Sequence, residues 1–348
     1  MVRPAEATGG RLCERMVDTE HSERVHDGPW SREETATLAR AVNRAPSVHN
    51  TQPWSLSVHD RVAELHEQVE DDPSRHDPEG RDRKISCGAA LTNLVLAVRE
   101  LGWRAEVSFS GSEAPLVSVT GSGRQPPTDA EHGRFEAIPL RTSHRRPFDA
   151  RPVDSADVEA VRAAAQTVPS VQGRWVTGGE EALELARLLT YAARVQRADE
   201  SYQRELAGWI VKHGEADTRG VPSDALGARG IGAVGLVSGS THVPDEAWLA
   251  TRIEEESVLV LSTEDDEPRA HLDVGSALEH AWLEATHRGL GASVTTQFLH
   301  LGEVRSGLSQ QLDLTGVVQV LMRFGHPADP GSRSGRRPAE EIVTDHRA

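Results

Sequence analysis

Apolar positions along this chain follow two rhythms, one helical and one alternating, that take turns from end to end. Ser31 and Glu34 form a capping-box pattern ahead of a helix that turns Leu38, Ala41 and Val42 inward. Pro46 disfavours a helical residue before it, so this helix is expected to end at Asn43–Arg44. Trp54, Leu56 and Val58 alternate with Ser55 and Ser57, the period of a strand. After a charged, turn-rich stretch at 68–84, Gly88 opens a helix with Leu91, Leu94, Val95, Val98 and Leu101 on one face, stopped by Gly102. Ala105, Val107 and Phe109 alternate, and a further strand follows from Leu116; residues 121–135 read as a linker. A helix capped by Asp154 or Ser155 turns Val158, Val161 and Ala165 inward, and a short apolar stretch surrounds Trp175 and Val176. Residues 180–212 read as helix, Val258 to Leu261 as a buried strand, and Val317 to Phe324 as a core strand. Between the last two, Gly275 opens a helix with Ala277, Leu278, Ala281, Trp282 and Ala285 inward, stopped by Gly289. Trp248 and Trp282, both at helical positions, are expected in the core. Residues 1–28 lack any apolar period and read as a mobile leader.

Two of these blocks match each other without a gap. Gly88 corresponds to Gly275, Leu91 to Leu278, Leu96 to Leu283, Gly102 to Gly289 and Ala105 to Ala292. Each block is preceded by a capped helix and a Pro-Ser-Val stretch, at Pro46 and at Pro169, and each is followed by a strand. Two amphipathic helices can match by chance, but here the glycines at both ends match as well, which favours duplication. The expected layout is a first half over 29–125 and a second over 136–345, the latter carrying a lid-like insertion at about 190–246. Within that insertion, residues 213–246 are rich in glycine; so long a connection inside a domain is a lid, a binding loop or a disordered segment.

Composition narrows the choice of partner. With 38 Lys+Arg against 54 Asp+Glu, the net charge is −16. That argues against a general nucleic-acid binder or a partner of anionic membranes, and it means that an anionic ligand needs a local basic pocket. Two cysteines, Cys13 and Cys87, make neither a disulfide framework nor a metal set, and the 16 histidines lack ligand spacing, so no metal is expected. No apolar run is long enough to span a bilayer and no signal-peptide core is present, so a cytoplasmic protein is expected.

Against that acidic background Arg141-Thr142-Ser143-His144-Arg145-Arg146-Pro147-Phe148 stands out as a basic knot. Guanidinium forks at this density suit a phosphate or another polyanion, with serine adding a hydroxyl donor; a solvated charge run is the plain alternative. Upstream, Ala45-Pro46-Ser47-Val48-His49-Asn50-Thr51-Gln52-Pro53-Trp54 is a polar loop stiffened by two prolines, able to wrap a ligand or simply to connect a helix to a strand. Arg333, Arg336 and Arg337 form a second basic cluster in the tail. The first half has the rich loop and no knot, the second the knot and no rich loop, so the two together can complete one site. Gly230-x-Gly232-x-x-Gly235 fits a dinucleotide fingerprint on paper, but a polar, turn-like stretch precedes it where a strand is required.

The motifs Arg-x-Ser-x-Arg-x-Pro-Phe, Pro-Ser-x-x-Asn-x-Gln-Pro-Trp and a late arginine pair before proline resemble the flavin-binding signatures of the nitroreductase superfamily, and most of all its Acg-like branch from actinobacteria. The resemblance covers roughly residues 30–345. It implies an α+β fold, a mixed sheet flanked by helices, here as a dimer fused into one chain that works as a monomer with one FMN. It also implies that Arg141, Thr142, Ser143 and Arg145 hold the phosphate and the pyrimidine edge. Pro46, Ser47, Val48, Asn50 and Gln52 would reach the flavin from the other half. Thr295, Thr296 and Gln297 would approach the ring, and Arg336 and Arg337 would close on the phosphate or ribityl. The activity implied is electron transfer from a nicotinamide or other small-molecule donor to a nitro- or quinone-like acceptor. The alternative is a protein that sequesters FMN beneath a lid. The chain departs from the family in lacking its acidic-glycine pair after the last helix.

Overall fold

In the computed structural model the described residues are 28–69, 73–110, 114–212, 217–226, 231–329 and 333–345. The expected leader lies almost wholly outside them. Helix α1 (Arg32–Asn43) begins with both bonds of the capping box, Ser31 N–H to Glu34 and Glu34 N–H to Ser31 Oγ. Strand β1 (Trp54–His59) buries Trp54, Leu56 and Val58 on one face, as its alternation requires, and pairs with β2 (Val62–Glu67). Helix α2 (Arg81–Glu100) and strands β3 (Trp103–Phe109) and β4 (Val117–Arg124) follow. The sheet order is β1-β2-β4-β3, antiparallel throughout. Residues 121–135 are not a linker: β4 runs through Arg124, and α3 (Asp129–Ala137) follows a second reciprocal capping box, Thr128 with Glu131. Its weak apolar pattern hid this helix, which buries only Gly133 and Ala137.

The second half opens with α4 (Ser155–Ala165) and β5 (Val171–Trp175). The expected helix at 180–212 divides at Asp199, which caps α6 (Glu200–Trp209) immediately after α5 (Glu180–Ala198). Short strands β6 (Ile210–Val211) and β7 (Val221–Pro222) pair with each other; α7 (Ile231–Val234) and α8 (Glu246–Glu255) complete the insertion. Then come β8 (Ser257–Thr263), α9 (Pro268–His287), β9 (Gly291–Thr295), α10 (Gly302–Gln311) and β10 (Val317–Gly325). Their sheet order is β5-β8-β10-β9, again antiparallel throughout, the same order and sense as the first sheet. The tail crosses back: β11 (Val343–Asp345) adds to β1 in parallel, which makes the first sheet mixed. Trp248 is 43% exposed rather than in the core, whereas Trp282 is buried.

Helices α2 and α9 pack against each other at the centre. Gly88 and Gly275 do not open these helices, as their spacing suggests; they lie in mid-helix, at the crossing. A Cβ on Gly88 would strike the Leu272 carbonyl, and one on Gly275 the Ile85 carbonyl, so only glycine lets the backbones approach this closely. Ser276 Oγ donates to Gly88 O at 3.0 Å and Thr92 Oγ1 to Ser276 O at 3.2 Å. The true start of α9 is marked by Pro268 in its first turn, and that of α2 by Asp77, whose carboxylate accepts from the N–H groups of Asp82 and Arg83. The first turns of α2 escaped the periodicity because Arg81, Asp82, Arg83 and Ser86 are polar and yet buried. Gly102 and Gly289 do end their helices, at φ +81° and +77°. No described helix is long and apolar enough to cross a membrane.

Candidate active site

Where the two halves meet, the structure leaves a cavity of about 860 Å³ including its open mouth. Its apolar walls are Ile85 and Ala89 of α2, Leu278 and Trp282 of α9, and Val294 of β9. Pro46, Ser47, Val48, Asn50, Arg141, Ser143, Arg145, Thr295, Thr296, Gln297 and Arg336 line it too. Thr142 faces an adjoining recess with Arg44, Arg333 and Ser334. Gln52 and Arg337 do not line the cavity; they hold its frame. Gln52 Oε1 accepts from Arg337 N–H at 2.9 Å, and Asn43 Nδ2 donates to Arg337 O.

The basic knot is positioned from below. Arg323 of β10, wholly buried, pairs with Glu256 through two bonds of 2.6 and 3.0 Å and donates to Arg146 O at 2.8 Å. Its guanidinium also lies 4.4 Å from the Phe148 ring centroid. His144 N–H donates to Ala292 O at 2.9 Å, tying the knot to β9. The 46–52 loop is held by strain and by hydrogen bonds. His49, Asn50 and Gln52 have φ of 45°, 60° and 53°, a region that asparagine and histidine visit more readily than glutamine. Val48 N–H donates to Ser86 Oγ, and Gln52 N–H to Ser47 Oγ. The insertion closes on this loop: Thr218 O accepts from Gln52 Nε2 at 2.7 Å and from Asn50 Nδ2 at 3.3 Å. Gly232 and Gly235 let the segment at α7 lie against Arg145 and Thr295, since a Cβ at either would collide there.

One end of the cavity is cationic. Arg141, buried, donates to Arg44 O at 2.9 Å and lies 4.5 Å from the Trp282 ring centroid. Its Nε is 3.5 Å from Glu279, a fully buried carboxyl that burial pushes up to about 7 against the pull of Arg141. Arg336 donates to Asn50 Oδ1 at 2.6 Å, while the Nε atoms of Arg336 and Arg141 have no hydrogen-bond partner. Arg145 has no hydrogen-bond or ion-pair partner among the described residues. Burial, then Arg141, lowers Arg145 to about 10; burial, then Arg141 and Arg44, lowers Arg336 to about 9. Arg141 and Arg336 act on the one buried carboxyl, Glu279, Arg44 and Arg145 stand near Arg141, and an anion is what the unpaired donors lack.

The other end is neutral or acidic. Burial would raise Asp82, but Arg81, then His300, hold its carboxyl well below the usual range. Asp82 accepts from Arg81 at 2.8 Å, Thr296 Oγ1 at 2.5 Å, Gln297 Nε2 at 3.0 Å and His300 Nε2 at 3.2 Å. Asp77, Asp82 and His300 come close enough to suggest a metal site, but Asp77 caps α2 and Asp82 is already saturated with donors. The sequence reading did not single out Arg44, His49, Asp82, Ser86, Glu279, Trp282 or Ser334 as site residues. A signal was available for Asp82 and Ser86: a helix start hidden in a polar run, marked by the Asp77 cap.

Comparison with known proteins places this architecture. The family model described as "Nitroreductase family" matches residues 139–326. The chain is 30% identical over 324 residues, 89% of its length and 91% of the relative's, to "Putative NAD(P)H nitroreductase Rv3131" of Mycobacterium tuberculosis (strain ATCC 25618 / H37Rv). It is also 30% identical over 319 residues to "Putative NAD(P)H nitroreductase acg" of the same strain, covering 87% of this chain and 94% of that one. An FMN-bound nitroreductase crystal structure from Bacteroides fragilis NCTC 9343 is 16% identical, with a TM-score of 0.38, over 59% of this chain and 94% of that one. The chain belongs to the nitroreductase family, in its Acg-like branch.

Proposed function

We propose that this nitroreductase-family oxidoreductase holds one FMN in the cavity between its halves and passes electrons from a nicotinamide donor to a nitro- or quinone-like acceptor. The observation that carries the reading is the surplus of guanidinium donors at one end of a cavity that also has apolar walls from Ile85, Ala89, Leu278, Trp282 and Val294. Arg141, Ser143 and Arg336, with Arg44 and Thr142 in the adjoining recess, would hold a phosphate by charge-assisted bonds. Ile85, Leu278 and Trp282 would cover a planar ring and exclude water. Thr295, Thr296 and Gln297 would face its edge. Bound FMN supplies the two-electron chemistry; the protein binds, orients and screens it. The halves behave as a fused dimer, each giving what a partner subunit would give, and the chain works as a monomer. Released flavin should approach one per chain. A ratio near two would overturn the single site, and a colourless protein that gains no FMN would overturn the whole reading.

A second reading, FMN held but barely turned over, is favoured by the clamp of Thr218 on Asn50 and Gln52. Under it, anaerobic NADPH would reduce the wild-type protein slowly, and shortening 215–240 would speed reduction without loss of FMN. Rapid reduction of the wild type would exclude it.

A further inference from the structure

Behind the loop histidine stands a second one. His49 Nε2 lies 2.6 Å from His76 Nδ1, and His76 Nε2 lies 2.9 Å from the carbonyl oxygen of Tyr202 in α6. A carbonyl can only accept, so His76 Nε2 carries a proton. In the neutral ring Nδ1 is then a lone pair, and His49 Nε2–H must donate to it. That leaves the Nδ1 of His49 as a lone pair too. His49 lines the cavity, and its Nδ1 has no partner among the described residues. Burial, then His76, holds His49 well below its ordinary value, and burial lowers His76 as well, which favours the neutral form of both rings. Trp209 of α6 stacks on His49 at 6.2 Å and Tyr202 on His76 at 3.8 Å, which fixes both ring planes.

Gln297 is oriented in the same way. Its Nε2 donates to Asp82 Oδ2 at 3.0 Å and to His76 O at 3.3 Å, so its NH2 is spent and its Oε1 remains a buried acceptor without a partner. His76 is thus the common post: its ring turns His49 and its carbonyl turns Gln297. Two unpartnered acceptors with fixed direction, the buried Oε1 of Gln297 and the Nδ1 of His49, which opens to the cavity, are anchored to one residue. A protein interior pairs a buried acceptor such as Gln297 Oε1, so a ligand that brings donors is called for.

We infer that His49 and Gln297 form a carboxamide-reading subsite: two acceptors for the NH2 of a primary amide on a nitrogen heteroaromatic, the head group of a nicotinamide dinucleotide. A carboxylate in the same place brings no donor and adds repulsion. The inference rests on the oxidoreductase reading above and adds to it which atoms select the electron donor.

The test uses FMN-loaded wild-type protein and two probes that differ only at this group, NAD+ and nicotinic acid adenine dinucleotide, titrated at high ionic strength to screen the arginines. The expected result is at least a tenfold preference for the amide, the worth of about one hydrogen bond. Equal affinity, preference for the acid, or no binding of either overturns the inference. Histidine 15N resonances in the wild type must show His49 Nδ1 unprotonated; a protonated Nδ1 overturns it independently of any ligand. His76→Phe keeps a ring beside Tyr202 but frees the His49 tautomer, and should bring the two affinities together; an undiminished preference overturns the role given to His76. Wild-type protein that takes up no FMN fails the oxidoreductase reading instead, so the two failures are distinguishable.

Discussion

The two crossing helices are equivalent in position and opposite in use. With Gly88 set on Gly275, Ser86 of α2 corresponds to Asp273 of α9, and Asp82 to Arg269. In both halves the Pro-Ser-Val stretch touches the same helix position. Val48 N–H donates to Ser86 Oγ at 3.2 Å, and Ser170 Oγ donates to Asp273 Oδ2 at 2.7 Å. Beyond that contact they diverge. Around α2, Asp82 is buried under four donors and looks into the cavity. Around α9, Arg269 pairs with Asp273 at 2.7 Å, lies over Phe109, and is 56% exposed. The same scaffold holds a dry polar network on one side of the crossing and an ion pair with an exposed guanidinium on the other. Two sheets of the same strand order therefore need not carry the same surroundings: burial, more than topology, sets the two sides of the crossing apart.

Substitutions at these equivalent positions should break the symmetry in a definite order. Asp82→Ala leaves Arg81 buried without its carboxylate and should cost about 3–5 kcal/mol, with loss of FMN. Urea denaturation and flavin content would measure it, and a cost below 1 kcal/mol would show that the network is not dry. Gly275→Ala drives a Cβ into the Ile85 carbonyl, and the expected loss is about 3 kcal/mol. Gly88→Ala should match it, because the collision is reciprocal; unequal losses in thermal melts would contradict a symmetric crossing.

Glu279 gives a test by pH. Burial holds its folded-state pKa at about 7, above its ordinary value of 4.5. Between these values the folded protein keeps a proton that the unfolded chain releases, so this group makes stability fall as pH rises through that window. The total is on the order of 3 kcal/mol. Glu279→Gln should abolish this part of the pH dependence; an unchanged slope from pH 5 to 8 in denaturant titrations would refute it.

Arg141→Ala should weaken FMN by an order of magnitude or more, about 1.5–3 kcal/mol, and riboflavin much less. Equal losses would mean that Arg141 does not meet the phosphate. Smallest of all, Arg269→Ala should change stability by no more than about 0.5 kcal/mol and leave flavin binding intact, since its guanidinium is more than half exposed.

By itself the sequence determined the alternating and helical segments, the helix stops at Gly102 and Gly289, the matched blocks around Gly88 and Gly275, and the knot and loop that meet in one cavity. These are local or self-referential patterns: a cap, a period, a glycine at positive φ, a repeated spacing. Tertiary structure alone decided the rest. Arg81 and Asp82 read as part of a charged, turn-rich stretch, because periodicity takes polar to mean solvated; they are buried because hydrogen bonds from Thr296, Gln297 and His300, far along the chain, satisfy Asp82. Gln52 and Arg337 share a motif spacing with cavity residues, yet they bond each other behind the wall. The direction of the His49 imidazole depends on a carbonyl at Tyr202, well over a hundred residues away along the chain. No local pattern encodes that contact, because what fixes a proton on one ring nitrogen is which acceptor the fold brings to the other.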